Sequence, residues 1–284
     1  TELHDMLATE GLARILLDLE HRGELTQRIR LYATRENFDA LFAMTEPLSS
    51  RGAGVPPVSS TGSHSAPARL ISGSRLISLD GLKIFTDGTL NSRTAHMLHP
   101  FNDPIPDHSR GTPMMSRNDI AESIALADSH GLPIAAHAIG DAAVRTTLDA
   151  IERVKPKARG QRIEHAQFVD EADIPRFARL NVIASMQPCH LLTDIEAIER
   201  FAPRRAHRAF PLRDLIDAAK HAGHDPARLI FLGSDAPIVP PDPADNLQAA
   251  VHRRRAGMPP DRAIAPQQAI THEEAVQLSR PAMH

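Results

Sequence analysis

The 284-residue chain has one cysteine, Cys189, which excludes an intramolecular disulfide framework and fits a reducing compartment. It has no run of 18 or more apolar residues, and its first residues lack a basic segment followed by an apolar one, so neither a membrane span nor a signal peptide is visible. Long Lys/Arg blocks are missing and the formal net charge is -3, which leaves no electrostatic footprint for nucleic acid or an anionic membrane. Gly-x-Gly-x-x-Gly and Walker-type Gly-Lys-Ser/Thr signatures are also absent, which removes the usual phosphate cradles. The expected location is the cytoplasm and the expected partner a small molecule. The one basic cluster, His252 to Arg255, reads as a solvated helix end.

What is present is ordinary globular composition, 42% hydrophobic and 24% charged, enough for a sizeable core in a single domain spanning 1–284. Leu7, Leu12, Ile15, Leu16 and Leu19 share a helical stripe that ends at Gly23, and a strand follows at 27–33. A helix over 36–44 leads into a Pro, Gly and Ser-rich stretch at 46–74, which reads equally as a lid or as disorder. Strands follow near 76–85, 132–138, 161–168, 181–187 and 228–234. Helices separate them near 116–131, 141–154, 170–179, 193–201 and 211–222, with two more at 243–256 and 272–280. Ser116 is the expected N-cap of the first of these.

Alternation of strand and helix without hairpin signals argues for a parallel sheet with crossover helices. With Thr1 to Asp5 as a strand, seven can be counted. A (β/α)8 barrel is favoured over an open doubly wound sheet, because a barrel converges the C-terminal ends of several strands on one axial site. Three strands carry chemistry at that end. The run LPIAAHAIGD delivers His137, RIEHAQ delivers His165, and LIFLGSDAP delivers Asp235, all residue types that bind divalent metals. One histidine among 16 is more often a packed or surface residue, but three ligand types at the same point of three βα units argue for a site. Lys83 interrupts an otherwise apolar strand, where an unpaired ammonium is costly. It pairs with Asp87 or Glu164, snorkels out at the strand end, or is neutral and forms a carbamate with carbon dioxide.

Five segments, in order, resemble the metal-dependent amidohydrolase superfamily and its amidohydrolase-3 or YtcJ-like branch. They are GLKIFTDGTLNSRTA from Gly81, HAIGDAAV from His137, RIEHAQ from Arg162, ASMQPCH from Ala184 and GSDAPIV from Gly233. The resemblance implies a (β/α)8 barrel, usually flanked by a small β-sandwich, that hydrolyses amide, formamide or cyclic amide C–N bonds with one or two divalent ions, most often zinc. It implies metal ligation by His137, His165 and Asp235, with Lys83 at a position that is a carboxylated bridging lysine in some relatives. Asp235 would act on the metal-activated water as general base and then as acid, and His190 would orient substrate or polarise the scissile carbonyl. Asp87 and Arg93 would brace the loop after Lys83.

The family takes two ligands from a His-x-His pair on its first strand, and this sequence has no His-x-His. Thr1 to Met6 resembles the second strand, so the chain is expected to lack the first strand and the sandwich. Two rival readings accompany the hydrolase: a catalytically silent barrel fragment with an incomplete metal site, and a lyase or isomerase that uses Lys83 as a Schiff-base amine. The expected partner is an amide-type small molecule, with a homo-oligomer compatible. The segments 46–74, 95–115 and 189–210, where specificity would reside, carry no recognisable code.

Overall fold

A computed structural model describes residues 2–46 and 69–280; most of the stretch read as a lid or disorder lies outside them. Within the described residues the alternation is as expected. The elements are β1 (Glu2–Ala8), α1 (Glu10–His21), β2 (Arg28–Thr34), α2 (Phe38–Ala43), β3 (Arg69–Leu70), β4 (Ile77–Phe85), α3 (Arg117–Ser129), β5 (Ile134–Ala138), α4 (Asp141–Val154) and β6 (Arg162–His165). The chain continues with α5 (Ile174–Leu180), β7 (Ile183–Met186), α6 (Cys189–Phe201), α7 (Leu212–His221), β8 (Ile230–Leu232), α8 (Pro243–His252) and α9 (His272–Leu278). Ser116 caps α3 as expected, in a reciprocal capping box with Asp119.

The sheet runs β1-β2-β4-β5-β6-β7-β8, every pair parallel. The short β3 pairs antiparallel with β4 and falls where the sequence reads as loop; two residues are too few for a periodic signal. A side-chain contact shows that the sheet curls. Arg162 on β6 donates to His4 Nδ1 on β1 at 2.8 Å, although four strand spacings in a flat sheet amount to about 19 Å. This is a barrel-like arc, and β1 and β8 do not pair with each other among the described residues.

Outward-facing Leu31, Leu82, Ile84, Ile134, Ala136, Ile163 and Ala184 are buried against the helices and make the main core. β4 carries one extra residue there: Leu31 pairs with Leu79 but Tyr32 with Gly81, so Asp80 is a bulge. The bulge shifts the in-and-out alternation, which lets both Asp80 and Lys83 face the inside of the arc. Asp80 accepts from Arg30 Nη1 there at 2.8 Å.

The inner face carries a buried polar layer. Arg162 donates to His4, to the Tyr32 hydroxyl at 3.1 Å and to Ser185 Oγ at 2.8 Å, and lies 2.8 Å from Glu164 Oε1. His4 Nε2 passes the chain on to Glu2 at 2.9 Å, and Arg30 Nε meets the same carboxylate at 2.7 Å. Accepting from Arg162 at one nitrogen and donating to Glu2 at the other, His4 is neutral, and burial pushes its pKa down.

The basic cluster at the end of α8 is not a solvated helix end throughout. Arg253 leaves the helix in a left-handed conformation, φ 58°, and is fully buried. Its guanidinium donates to the carbonyls of Ala209, Phe210 and Ile264 at 2.6, 3.2 and 3.1 Å. These three hydrogen bonds offset part of the desolvation cost, and burial holds the Arg253 pKa down to about 9.

Candidate active site

At the C-terminal ends of β4 to β8 the inner face changes character. His137 is the penultimate residue of β5 and pairs in register with Phe85 and Glu164, so it points inward beside them. His165 closes β6. Strict alternation would send it outward after inward-facing Glu164, but its backbone is left-handed, φ 74°, and that of Ala166 also, φ 43°. The twist returns the ring to the inner side, where it stacks edge-on against His137 with centroids 4.5 Å apart and faces His190 at 5.8 Å. Asp235 follows β8 by three residues, also left-handed at φ 60°. Uncommon backbone for non-glycine residues at two such positions is a mark of functional geometry.

The expected loop after β7 is helical from Cys189, so His190 sits in the first turn of α6 instead of on a loop. Pro188 fits the helix start and the apolar Leu191, Ile195 and Ile198 bury one face. One ligand atom from each of His165, His190 and Asp235 falls within 4.8 Å of the other two. His190 Nε2 is 3.8 Å from Asp235 Oδ2. His165 Nδ1 and His190 Nε2 are buried without a hydrogen-bond partner among the described residues, capacity that a water, a ligand or an ion would satisfy. Two imidazoles and a carboxylate are a fitting donor set for a divalent ion such as zinc.

The other expected ligands behave differently. His137 Nε2 donates to the Gly88 carbonyl at 3.1 Å and lies 3.7 Å from Asp87 Oδ1. Lys83 is 5% exposed, with its Nζ 4.9 Å from the Phe85 ring centroid. Among the described residues it makes no ion pair within 4.0 Å, so the salt bridge to Asp87 or Glu164 is not formed.

Burial depresses every base here. It holds His137 at about 4, with the Gly88 carbonyl opposing. It also holds His165 well below the imidazole range, reinforced by His137, Lys83 and His190, and lowers Lys83 against the pull of Glu164. The Asp235 carboxyl, with its side chain 36% exposed, is raised by burial while Lys83 opposes. The imidazoles are therefore neutral, the form that ligates metal.

Asp87 braces the loop as expected: it accepts from the backbone N–H of Ile139, Gly140 and His96 at 3.0, 2.8 and 2.8 Å. Burial nonetheless raises its pKa to about 7. Gly140 is required here, since a Cβ would lie 2.0 Å from the His96 carbonyl oxygen. Arg93 holds the loop farther along, donating to the Asp103 carbonyl at 2.9 Å. Asp194 escaped the sequence reading. One turn beyond His190 on α6, it is buried, takes a 2.6 Å hydrogen bond from Asn91 Nδ2, and is raised by burial to about 6. Its signal was a lone acid four residues after His190 on an otherwise apolar helix face.

The model of the amidohydrolase family matches residues 6–282. YtcJ of Bacillus subtilis, named as an amidohydrolase, is 34% identical over 180 residues, 63% of this chain and 32% of its own length. N-substituted formamide deformylase of Arthrobacter pascens is 26% identical over 203 residues, 69% of this chain and 34% of its own. The solved structure of an uncharacterised metal-dependent hydrolase of Pyrococcus horikoshii superposes with a TM-score of 0.74 at 28% identity, over 96% of this chain and 49% of that one. The chain thus spans about a third of the length of these curated relatives. With the motif order, the curled parallel sheet and the strand-end cluster all in agreement, the chain belongs to the amidohydrolase family, in its YtcJ-like branch.

Proposed function

We propose that the protein is a metal-dependent hydrolase of carbon–nitrogen bonds in small amides, formamides or cyclic amides. The observation that carries this is the convergence of His165, His190 and Asp235 at neighbouring strand ends, with two buried ring nitrogens left unpaired. The residues that the family resemblance assigns to the ion are Lys83, His137, His165 and Asp235. A bound divalent ion such as zinc supplies Lewis acidity, polarising a carbonyl and acidifying water.

The chain's own residues do the rest. Asp235 is the one carboxylate of the cluster and is partly open to solvent, so it can take the proton of an attacking water and deliver it to the departing nitrogen. Its raised pKa suits that exchange. His165, neutral and packed between His137 and His190, fixes the floor of the site. The deformylase relative makes N-substituted formamides the first substrates to assay. Carboxylation of Lys83 is consistent with its burial and with the absence of an ion pair to it among the described residues, since only a neutral amine reacts with carbon dioxide; a cytoplasmic location fits the single buried Cys189.

The test is Asp235→Asn, assayed against a panel of formamides and small amides alongside metal analysis. The expected outcome is a loss of at least about a hundredfold in kcat with metal largely retained. Undiminished turnover would sink the assignment.

A further inference from the structure

The carboxylate of Asp194 stands apart from the other buried acids among the described residues. Asp80, Asp141, Glu164 and Asp173 each lie within 3.7 Å of an arginine nitrogen, and Asp87 accepts from three backbone N–H groups. Asp194 is 6% exposed and, among the described residues, has neither kind of partner. It is held by two neutral side-chain amides: Asn91 Nδ2, which donates at 2.6 Å, and the amide of Gln167. An ionised carboxylate offers about four acceptor sites, so about half of this capacity is open. Burial raises the Asp194 pKa to about 6 with only Asn91 and Gln167 opposing, which leaves most of the group ionised at pH 7. A buried charge without a counter-charge is costly, and no cation of this chain offsets it among the described residues.

Gln167 adds a second open acceptor. Its side chain is 2% exposed, and its Oε1 is buried with no hydrogen-bond partner among the described residues. A carboxylate can only accept, so the Gln167 nitrogen is the atom that holds Asp194 and the oxygen is left over. The place of the pair follows from the chain. Gln167 comes two residues after His165, Asp194 follows His190 by one turn on the same face of α6, and Asn91 comes three residues after Gly88, whose carbonyl holds His137. Three segments that leave the histidine cluster thus reconverge on Asp194, about 6 Å along α6 from His190. Asn91 is itself exposed, so the group borders solvent on that side.

We infer that Asp194 and Gln167 form a substrate subsite for a positively charged amine, so that the preferred amides carry an ammonium group about one helical turn from the scissile bond. The inference rests on the hydrolase reading for the reaction and adds the class of substrate. An ammonium has three N–H donors and no acceptor, which matches open carboxylate and carbonyl oxygens that lack a cation of their own. A substrate with a carboxylate at that position would meet like charge and be rejected.

The experiment uses two mimics, N-(4-aminobutyl)methanesulfonamide and N-butylmethanesulfonamide. They differ in the terminal ammonium and carry a sulfonyl in place of the scissile carbonyl, so they are bound without turnover at carbon. Calorimetry is expected to show the cationic mimic held at least about tenfold more tightly than the neutral one by wild type. That preference should fall below about twofold in Asp194→Asn, with the neutral mimic bound alike by both proteins. Circular dichroism checks the fold, and Asp194→Ser stands in if the asparagine variant does not fold. A carboxylate that only latches the loop after β4 to α6 would weaken both mimics together when replaced. That result, equal binding of the two mimics by wild type, or binding of neither, overturns the subsite. Hydrolysis of N-butylformamide and N-(4-aminobutyl)formamide is followed separately. If turnover persists without any ammonium preference, the hydrolase reading survives and the subsite falls; if the preference holds and neither formamide nor any other amide is cleaved, the hydrolase reading falls and the amine site stands.

Discussion

Two sets of buried polar groups share the inner face of one sheet, and they are built on opposite rules. Lower down, Arg162, His4, Glu2, Arg30, Asp80 and Tyr32 form a continuous chain of contacts at 2.7 to 3.1 Å. At the strand ends, His165 and His190 keep unpaired nitrogens, and His165 and Asp235 sit on left-handed backbone. The first arrangement holds the arc together across strands that are not neighbours. The second leaves hydrogen-bonding capacity unspent and tolerates strain, as expected of groups kept free for a ligand.

The contrast is most easily broken at Arg162. Arg162→Met leaves Glu164 buried without its partner and is expected to cost about 3 to 5 kcal/mol, read as a lowered denaturant midpoint at pH 7. His190→Gln at the strand ends should move that midpoint by less than about 1 kcal/mol. Equal losses in the two variants would erase the distinction.

A smaller effect separates the sets by pH. Burial raises the Glu2 pKa, but the hydrogen bond from His4 and the charge of Arg30 outweigh it and hold the group at about 2. A carboxyl depressed in the folded state contributes stability above its unfolded value and loses it as pH falls toward the folded one. Glu2→Gln is therefore expected to cost about 3 kcal/mol at pH 7 and about half of that at pH 3. Asp235 is shifted the other way, so its contribution rises on acidification; unfolding curves of both variants against wild type across pH 3 to 7, values set by about the range in which carboxyls titrate, check that the signs differ. The smallest expected effect is that of Asp235→Gly. Glycine removes the left-handed penalty but adds chain entropy, so stability should change by no more than about 1 kcal/mol, in the stabilising direction if strain dominates.

Much of this was legible in the sequence for a simple reason. His137 and Asp235 each follow a short apolar run, and all three of His137, His165 and Asp235 precede a loop or helix start, so their shared position at strand ends shows without any structure. What stayed hidden depends on contacts far apart in the chain. Nothing local to Arg253 tells that it will meet the carbonyls of Ala209 and Phe210 some forty residues away, and a lone basic run reads as solvated. Cys189 and His190 look like loop because proline precedes them, although proline also starts helices. The left-handed turn at His165 has no glycine to announce it, so the way its ring joins Glu164 on one face could not be foreseen.

Asp80 has a consequence beyond its ion pair with Arg30. One extra residue in β4 acts as a phase shifter: upstream of it one parity of positions faces inward, downstream the other. Lys83 therefore reaches the interior only because the count is offset before it arrives. In any relative or redesign of this strand, the length between β2-facing Leu79 and Lys83 decides whether an amine is delivered to the site or to the helices, whatever residue types are kept.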